Sequence, residues 1–96
     1  MMQEARLERR LARAIERRGG KAWKLTVPGR RGVQDRLVLM PLGRLWFVEM
    51  KAPGKRLRPL QVHRAEELRA LGFDVRTIST EAELLAFLAE VDAHAV

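Results

Sequence analysis

Apolar positions along this 96-residue chain recur at two periods, and the switches between them mark out its elements. Between residues 4 and 18, Leu7, Leu11, Ala14 and Ile15 fall on one stripe of a 3.6-residue wheel, with Arg6, Arg9, Arg10, Arg13 and Arg17 opposite. That is an amphipathic helix, and Gly19-Gly20 ends it. Residues 22–27 suit a strand. After the glycine loop "PGRRGVQ" come two further strands, 35–40 and 45–51, separated by the tight turn "PLGR". Strands joined so closely must pair antiparallel. Pro59 opens a helix running to about Leu71, because a first helical turn tolerates proline; Gly72 closes it. "FDVRTI" (73–78) is a short strand. Thr80 and Glu83 form a capping box for a final helix with Leu84, Leu85, Leu88 and Val91 on its apolar side. The order αβββαβα predicts one α/β domain over residues 1–96. Its strand 73–78, reached through a helix, should run parallel to an earlier strand.

Two charges interrupt this pattern. Trp46, Phe47, Val48 and Met50 read as a buried strand, yet Glu49 and Lys51 are set into it, two residues apart and therefore on one face. An unpaired buried ion costs several kcal/mol, on the order expected for desolvated charges. If the hairpin is centred on Leu42, Asp35 stands directly opposite Glu49. If it is centred between Leu42 and Gly43, Asp35 faces Met50, and a bulge is needed to bring the carboxylates together. In both cases Asp35, Glu49 and Lys51 share one end of the sheet. Two carboxylates and a backbone carbonyl suit a hard divalent cation such as Mg²⁺. Such an ion polarises a phosphodiester oxygen and lowers the pKa of a water, while Lys51 orients that water or stabilises transition-state charge. The plainer alternative pairs Asp35 and Glu49 with surface arginines and leaves Lys51 solvated.

Composition narrows the partner class. Nineteen Lys and Arg against twelve Asp and Glu give a net charge of +7, and all but four of the nineteen are arginine, whose planar fork suits phosphate. Nucleic acid is the partner this balance favours, against the alternative of an arginine-rich compositional bias. There is no cysteine, no apolar signal-peptide core and no run long enough to span a membrane, which together suit a soluble, cytoplasmic protein.

"GVQD" followed by "FVEMK" resembles the PD-(D/E)xK nuclease superfamily, and the chain is most similar to its VRR-NUC branch, whose small stand-alone members occur in phages and bacteria. The resemblance runs from about Leu7 to about Ile78. It includes Glu8 eleven residues before Gly19-Gly20, Lys24, the "PGRRGVQD" loop, "VEMKAP", and Leu57 with Gln61 at the entry to the next helix. One departure is Gln34, where this branch usually carries proline before the aspartate.

The resemblance implies a restriction-endonuclease-like core and hydrolysis of DNA phosphodiester bonds by a Mg²⁺-dependent endonuclease, with Mn²⁺ as a substitute. It assigns Asp35, Glu49 and the Met50 carbonyl to the metal and Lys51 to the attacking water. Gln61, on the side of its helix shared with Leu68, would hydrogen-bond within the site. Glu8 would orient a water or help hold a second cation; Glu4 projects to a similar side but lies in the fraying first turn. The resemblance further implies action on branched, Holliday-junction-like DNA as a homodimer, with no small-molecule cofactor and no membrane. Lys24, Arg30, Arg31, Lys55, Arg56 and Arg58 flank these residues and are expected to hold the nucleic-acid backbone, positioning it without reading bases. A non-catalytic DNA-binding or assembly module and an RNA-directed nuclease are the alternatives. Trp23 and Trp46 are expected in the core. His63 and His94 are not placed like ligands, and the helix arginines suit a solvated face.

Overall fold

A computed structural model describes residues 3–33 and 35–94. Its elements are α1 (Gln3–Arg17), β1 (Lys21–Lys24), β2 (Arg36–Met40), β3 (Arg44–Met50), α2 (Pro59–Ala70), β4 (Asp74–Ile78) and α3 (Glu81–Ala93). The αβββαβα order is thus the one the hydrophobic periods predict. The four strands form one mixed sheet in the order β1-β2-β3-β4, antiparallel except for the parallel β3–β4 pair that the α2 crossover requires.

One face of the sheet carries the main core. Leu7, Leu11, Ala14 and Ile15 of α1 and Leu84, Phe87, Leu88 and Val91 of α3 pack onto Val38, Met40, Trp46, Val48 and Met50. In α3 the buried side differs from expectation: Leu85 is exposed and Phe87 takes its place, meeting Trp46 edge-on at 5.7 Å between centroids. Both lie near the edge of the apolar arc, and the wide Trp46 ring draws the aromatic inward. Glu90 fixes the same corner by accepting from Trp46 Nε1 at 3.0 Å and from Arg76 Nε at 2.8 Å. On the opposite face, α2 packs against β4 and buries Ala65 and Val75, and Phe73 rests on Phe47.

Polar contacts hold the helices in place. Thr80 Oγ1 accepts from the Glu83 N–H at 3.1 Å, and Glu83 in turn accepts from the Thr80 N–H at 3.2 Å, completing the capping box. Arg18 grips Asp92 with bonds of 2.7 and 3.0 Å, and Arg10 pairs with Glu81, so α1 is tied to both ends of α3. Arg6, Arg9, Arg13 and Arg17 stay exposed, as a solvated face would. No helix among the described residues is long and apolar enough to cross a membrane.

The turn between β2 and β3 fixes their register. Pro41, Leu42 and Gly43 form the connection, with Leu42 and Gly43 both at positive φ (67° and 74°), and Met40 pairs with Arg44. Three residues in the loop centre the hairpin on Leu42. Tight packing also marks the exit of α1. A Cβ built on Gly20 would stand 2.4 Å from the Leu39 carbonyl oxygen and 2.5 Å from Met40 Sδ, so helix and sheet approach there as only glycine allows. Gly20→Ala is expected to destabilise the protein by about 2–3 kcal/mol, the cost of overpacking, as a lowered midpoint in urea unfolding.

Candidate active site

The ladder between β2 and β3 runs from Met40↔Arg44 to Arg36↔Val48. One step further, the same register sets Asp35 across from Glu49, the first of the two registers open to the sequence. Two backbone hydrogen bonds hold this end. Leu25 N–H donates to the Asp35 carbonyl at 2.8 Å, and Lys51 N–H donates to the Ile78 carbonyl at 2.9 Å, continuing the β3–β4 pairing past Met50. Asp35 Oδ1 accepts a long bond of 3.4 Å from the Met50 N–H. The aspartate side chain is thereby turned toward the strand that bears Glu49. Gln34 lies outside the described residues.

Glu49 is the unusual member. It is only 5% exposed, the one buried charged residue among those described. Its Oε1 is buried with no hydrogen-bond partner among the described residues, and its Oε2 lies 3.9 Å from Lys51 Nζ. Burial, and next the charge of Asp35, pushes its carboxyl up to about 7, against the pull of Lys51. Asp35 is raised as well, chiefly by burial; the Met50 N–H opposes this, and the charges of Glu8 and Glu4 add to it. Two carboxyls both raised above their ordinary range, one with an unpartnered oxygen among the described residues, are electrostatically short of positive charge. A divalent cation fits that deficit, because it would supply the missing partner to the orphaned oxygen and relieve the repulsion at once. No group of three His, Cys, Asp or Glu side chains with metal-holding geometry occurs among the described residues. The donors on offer are therefore the two carboxylates and main-chain oxygen.

The remaining candidates surround this pair unequally. Glu8 is half-buried and forms an ion pair with Arg36 at 3.3 Å, while its charge still acts on Asp35. Glu4, one turn earlier on the same helix face, acts on both Asp35 and Glu49. The i, i+4 spacing of Glu4 and Glu8 was the signal for this, and the fraying first turn hid it. Arg36, next to Asp35 in sequence, is a further neighbour that the motif did not single out. Gln61 is half-buried at the start of α2, where its Oε1 accepts from the Arg58 N–H at 2.8 Å. Its carbonyl thus caps the helix, joining a structural task to whatever it does in the site.

Lys24, Arg30, Arg31, Lys55, Arg56 and Arg58 are all exposed, and none has an ion-pair partner among the described residues. Arg31 is anchored through its carbonyl, which accepts from Arg64 Nε at 3.0 Å, and its guanidinium is left to solvent. One expectation fails. Trp46 is buried, but Trp23 is 58% exposed, because it stands on an edge strand and points to the sheet face that α2 leaves largely bare.

The raised carboxyl has a consequence for folding. Glu49 ionises near pH 4.5 when unfolded and near 7 when folded. Its contribution is fully present below the unfolded value and is lost as pH rises through the folded value. Without divalent cations, stability should therefore fall across that interval. Glu49→Gln removes the titration, so urea unfolding above pH 7 should find the variant more stable than wild type by on the order of 3 kcal/mol. The advantage should vanish below pH 4.5.

Comparison with known proteins adds relatives to this geometry. No family model matches the sequence. The protein named "Putative nuclease p44" of Acyrthosiphon pisum secondary endosymbiont phage 1 is 41% identical over 81 residues, spanning 84% of this chain and 87% of that protein. A solved structure described as "VRR_NUC domain" superposes with a TM-score of 0.81 at 28% identity, covering 100% of both chains.

Proposed function

The chain belongs to the VRR-NUC family, and on that premise we propose that it is a divalent-cation-dependent endonuclease acting on branched DNA. The observation that carries this is the buried Oε1 of Glu49, without a hydrogen-bond partner among the described residues, beside Asp35 and Lys51. A merely structural carboxylate would have found a hydrogen-bond donor.

Asp35, Glu49 and the Met50 carbonyl would hold Mg²⁺, or Mn²⁺ in its place. When bound, the cation supplies Lewis-acid activation of the phosphodiester and of water. The chain's own residues do the rest. Burial around Glu49 excludes bulk water and keeps its charge poorly solvated, so it is poised to favour a cation over a proton. Lys51 extends an ammonium from the end of β3, where it can donate to the attacking water or to a non-bridging phosphate oxygen as negative charge builds. Glu8 and Glu4 border the carboxylate pair from α1 and suit the orientation of a water or the retention of a second cation. Arg36 restrains Glu8 and partly offsets the negative field at Asp35. Gln61 lies at the start of α2, where it can hydrogen-bond within the site while its carbonyl caps the helix.

The unpaired cations of the two loops suit the phosphate backbone. They would fix the duplex without reading base edges, which favours recognition of DNA shape over sequence. Acting as a homodimer would offer two such sites to two strands of a junction.

Incubation with linear, nicked, flapped and four-way DNA, plus an RNA duplex, with and without Mg²⁺, tests the reaction and its substrate together. Products are expected on the branched DNA and only with the cation. Asp35→Ala and Glu49→Ala should abolish cleavage while DNA binding stays within a few-fold; full activity in either would refute the metal site. Lys51→Ala should lower the rate by roughly 100-fold or more, the range for a transition-state interaction, with little change in Mg²⁺ dependence.

The basic loops make a separate prediction, read by binding alone. Replacing Arg30 and Arg31 together with alanine should flatten the dependence of log K on log salt by about 2, one for each phosphate no longer neutralised. An unchanged slope in a fluorescence-anisotropy titration would remove that loop from the DNA-binding surface.

A further inference from the structure

Side chains alternate along a strand, so partners in a ladder share a face. Trp23 of β1 stands opposite Leu37, and Leu37 opposite Phe47. Leu37 lies two residues from Asp35 and Phe47 two from Glu49, so this row shares its face with both acids. The bond from Leu25 N–H to the Asp35 carbonyl carries the β1–β2 pairing on to the acidic end. Trp23 is thereby the diagonal neighbour of Asp35, at about 7–8 Å, within reach of an aromatic side chain. Its ring is 58% exposed, whereas Trp46 is buried.

Exposure alone would mean little, because single apolar side chains on a surface are common. The surroundings of this one say more. Lys21, two residues back along β1, stands on the same face, exposed and without an ion-pair partner among the described residues. From the acidic end outward, the face offers a carboxylate, an indole and an ammonium in successive rows about 7 Å apart, two residues of strand rise. The acids suit a cation that takes the scissile phosphate, and the ammonium suits a phosphate farther along the same strand. Between them the indole presents a flat π-face, which a phosphate does not match and a nucleobase does. Leu37 and Phe47 continue the row as an apolar floor, and Phe73 closes it by meeting Phe47 edge-on at 5.6 Å.

Resting on the nuclease reading above, we infer that Trp23 stacks on an unpaired base beside the scissile phosphate and so gives the site its preference for branched DNA. In a continuous duplex both faces of every base are covered by their neighbours. At a flap or a branch point some are open, and an aromatic ring takes any of them, since each base has a π-face. The basic loops hold the backbone of either form. Trp23 is the element that distinguishes them, and it does so without reading sequence.

Intrinsic fluorescence tests this in EDTA, where no cleavage intervenes. Trp23 is the exposed one of two tryptophans, so a short oligothymidylate should quench much of the wild-type emission, and Trp23→Phe should abolish that quenching. By anisotropy, Trp23→Ala should weaken binding of the oligothymidylate and of flapped DNA roughly 5- to 150-fold, the range for one stacked base, and of blunt linear duplex less than about two-fold. Trp23→Phe should recover most of that loss. A wild type that binds the oligothymidylate unquenched, or a folded alanine variant that binds flapped DNA like wild type, would overturn the stacking role. So would equal losses on duplex and flap, which mark a backbone contact, or a loss accompanied by a change in sedimenting mass, which marks a protein interface. If circular dichroism shows the alanine variant unfolded, wild-type quenching decides. Stacking without Mg²⁺-supported cleavage defeats the nuclease reading alone, and cleavage of flapped DNA undiminished by Trp23→Ala defeats the stacking alone.

Discussion

The register of the β2–β3 hairpin is the constraint on which the rest depends. Side chains alternate along a strand, so a slip by one residue would turn Asp35 from Glu49 to Met50 and reverse every inward position of β2. The three-residue Pro41–Gly43 turn prevents this by placing Leu42 at the centre. Val38, Met40, Trp46 and Val48 enforce the same choice from the core side, since only this pairing sends all four toward α1 and α3. Turn chemistry and hydrophobic burial agree, and the acidic pair is a consequence of their agreement. The site is in that sense a by-product of a well-specified hairpin.

Against that stability stands Glu49. The fold leaves it 5% exposed beside Thr77 of β4, with one oxygen that has no donor among the described residues. A neutral side chain there would favour the native state above pH 7. The strain is tolerable because it is confined to one end of the sheet, while α1 and α3 complete a continuous core elsewhere. Stability and reactivity are thus separated along the length of the strands.

Much of this was legible in the residues. The 3.6-residue stripe of α1, the capping box at Thr80 and the crossover to β4 follow from local pattern, and the acids of the neighbouring strands meet because the turn is short. The misreadings have a common origin. Trp23 looked like core because nothing local to β1 says how many helices cover the sheet face it points to. Phe87 displaced Leu85 because the shape of Trp46, far away in sequence, selects among neighbouring apolar positions. The reach of Glu4 depends on where α1 lies against the sheet. The capping task of Gln61 depends on a backbone conformation at Arg58 that no side-chain pattern reports. Each concerns the meeting of elements distant in sequence, and periodicity is silent about those.

The ion pairs between α1 and α3 have a temporal meaning as well. Glu4 and Glu8 ride on a helix that Arg10 and Arg18 fasten to Glu81 and Asp92, and whose apolar stripe rests on Leu84, Leu88 and Val91. On the ribosome, every residue of the acidic cluster emerges before α3 does. Until that helix is synthesised, α1 rests on the sheet alone, without the Arg10–Glu81 and Arg18–Asp92 ties that fix its position.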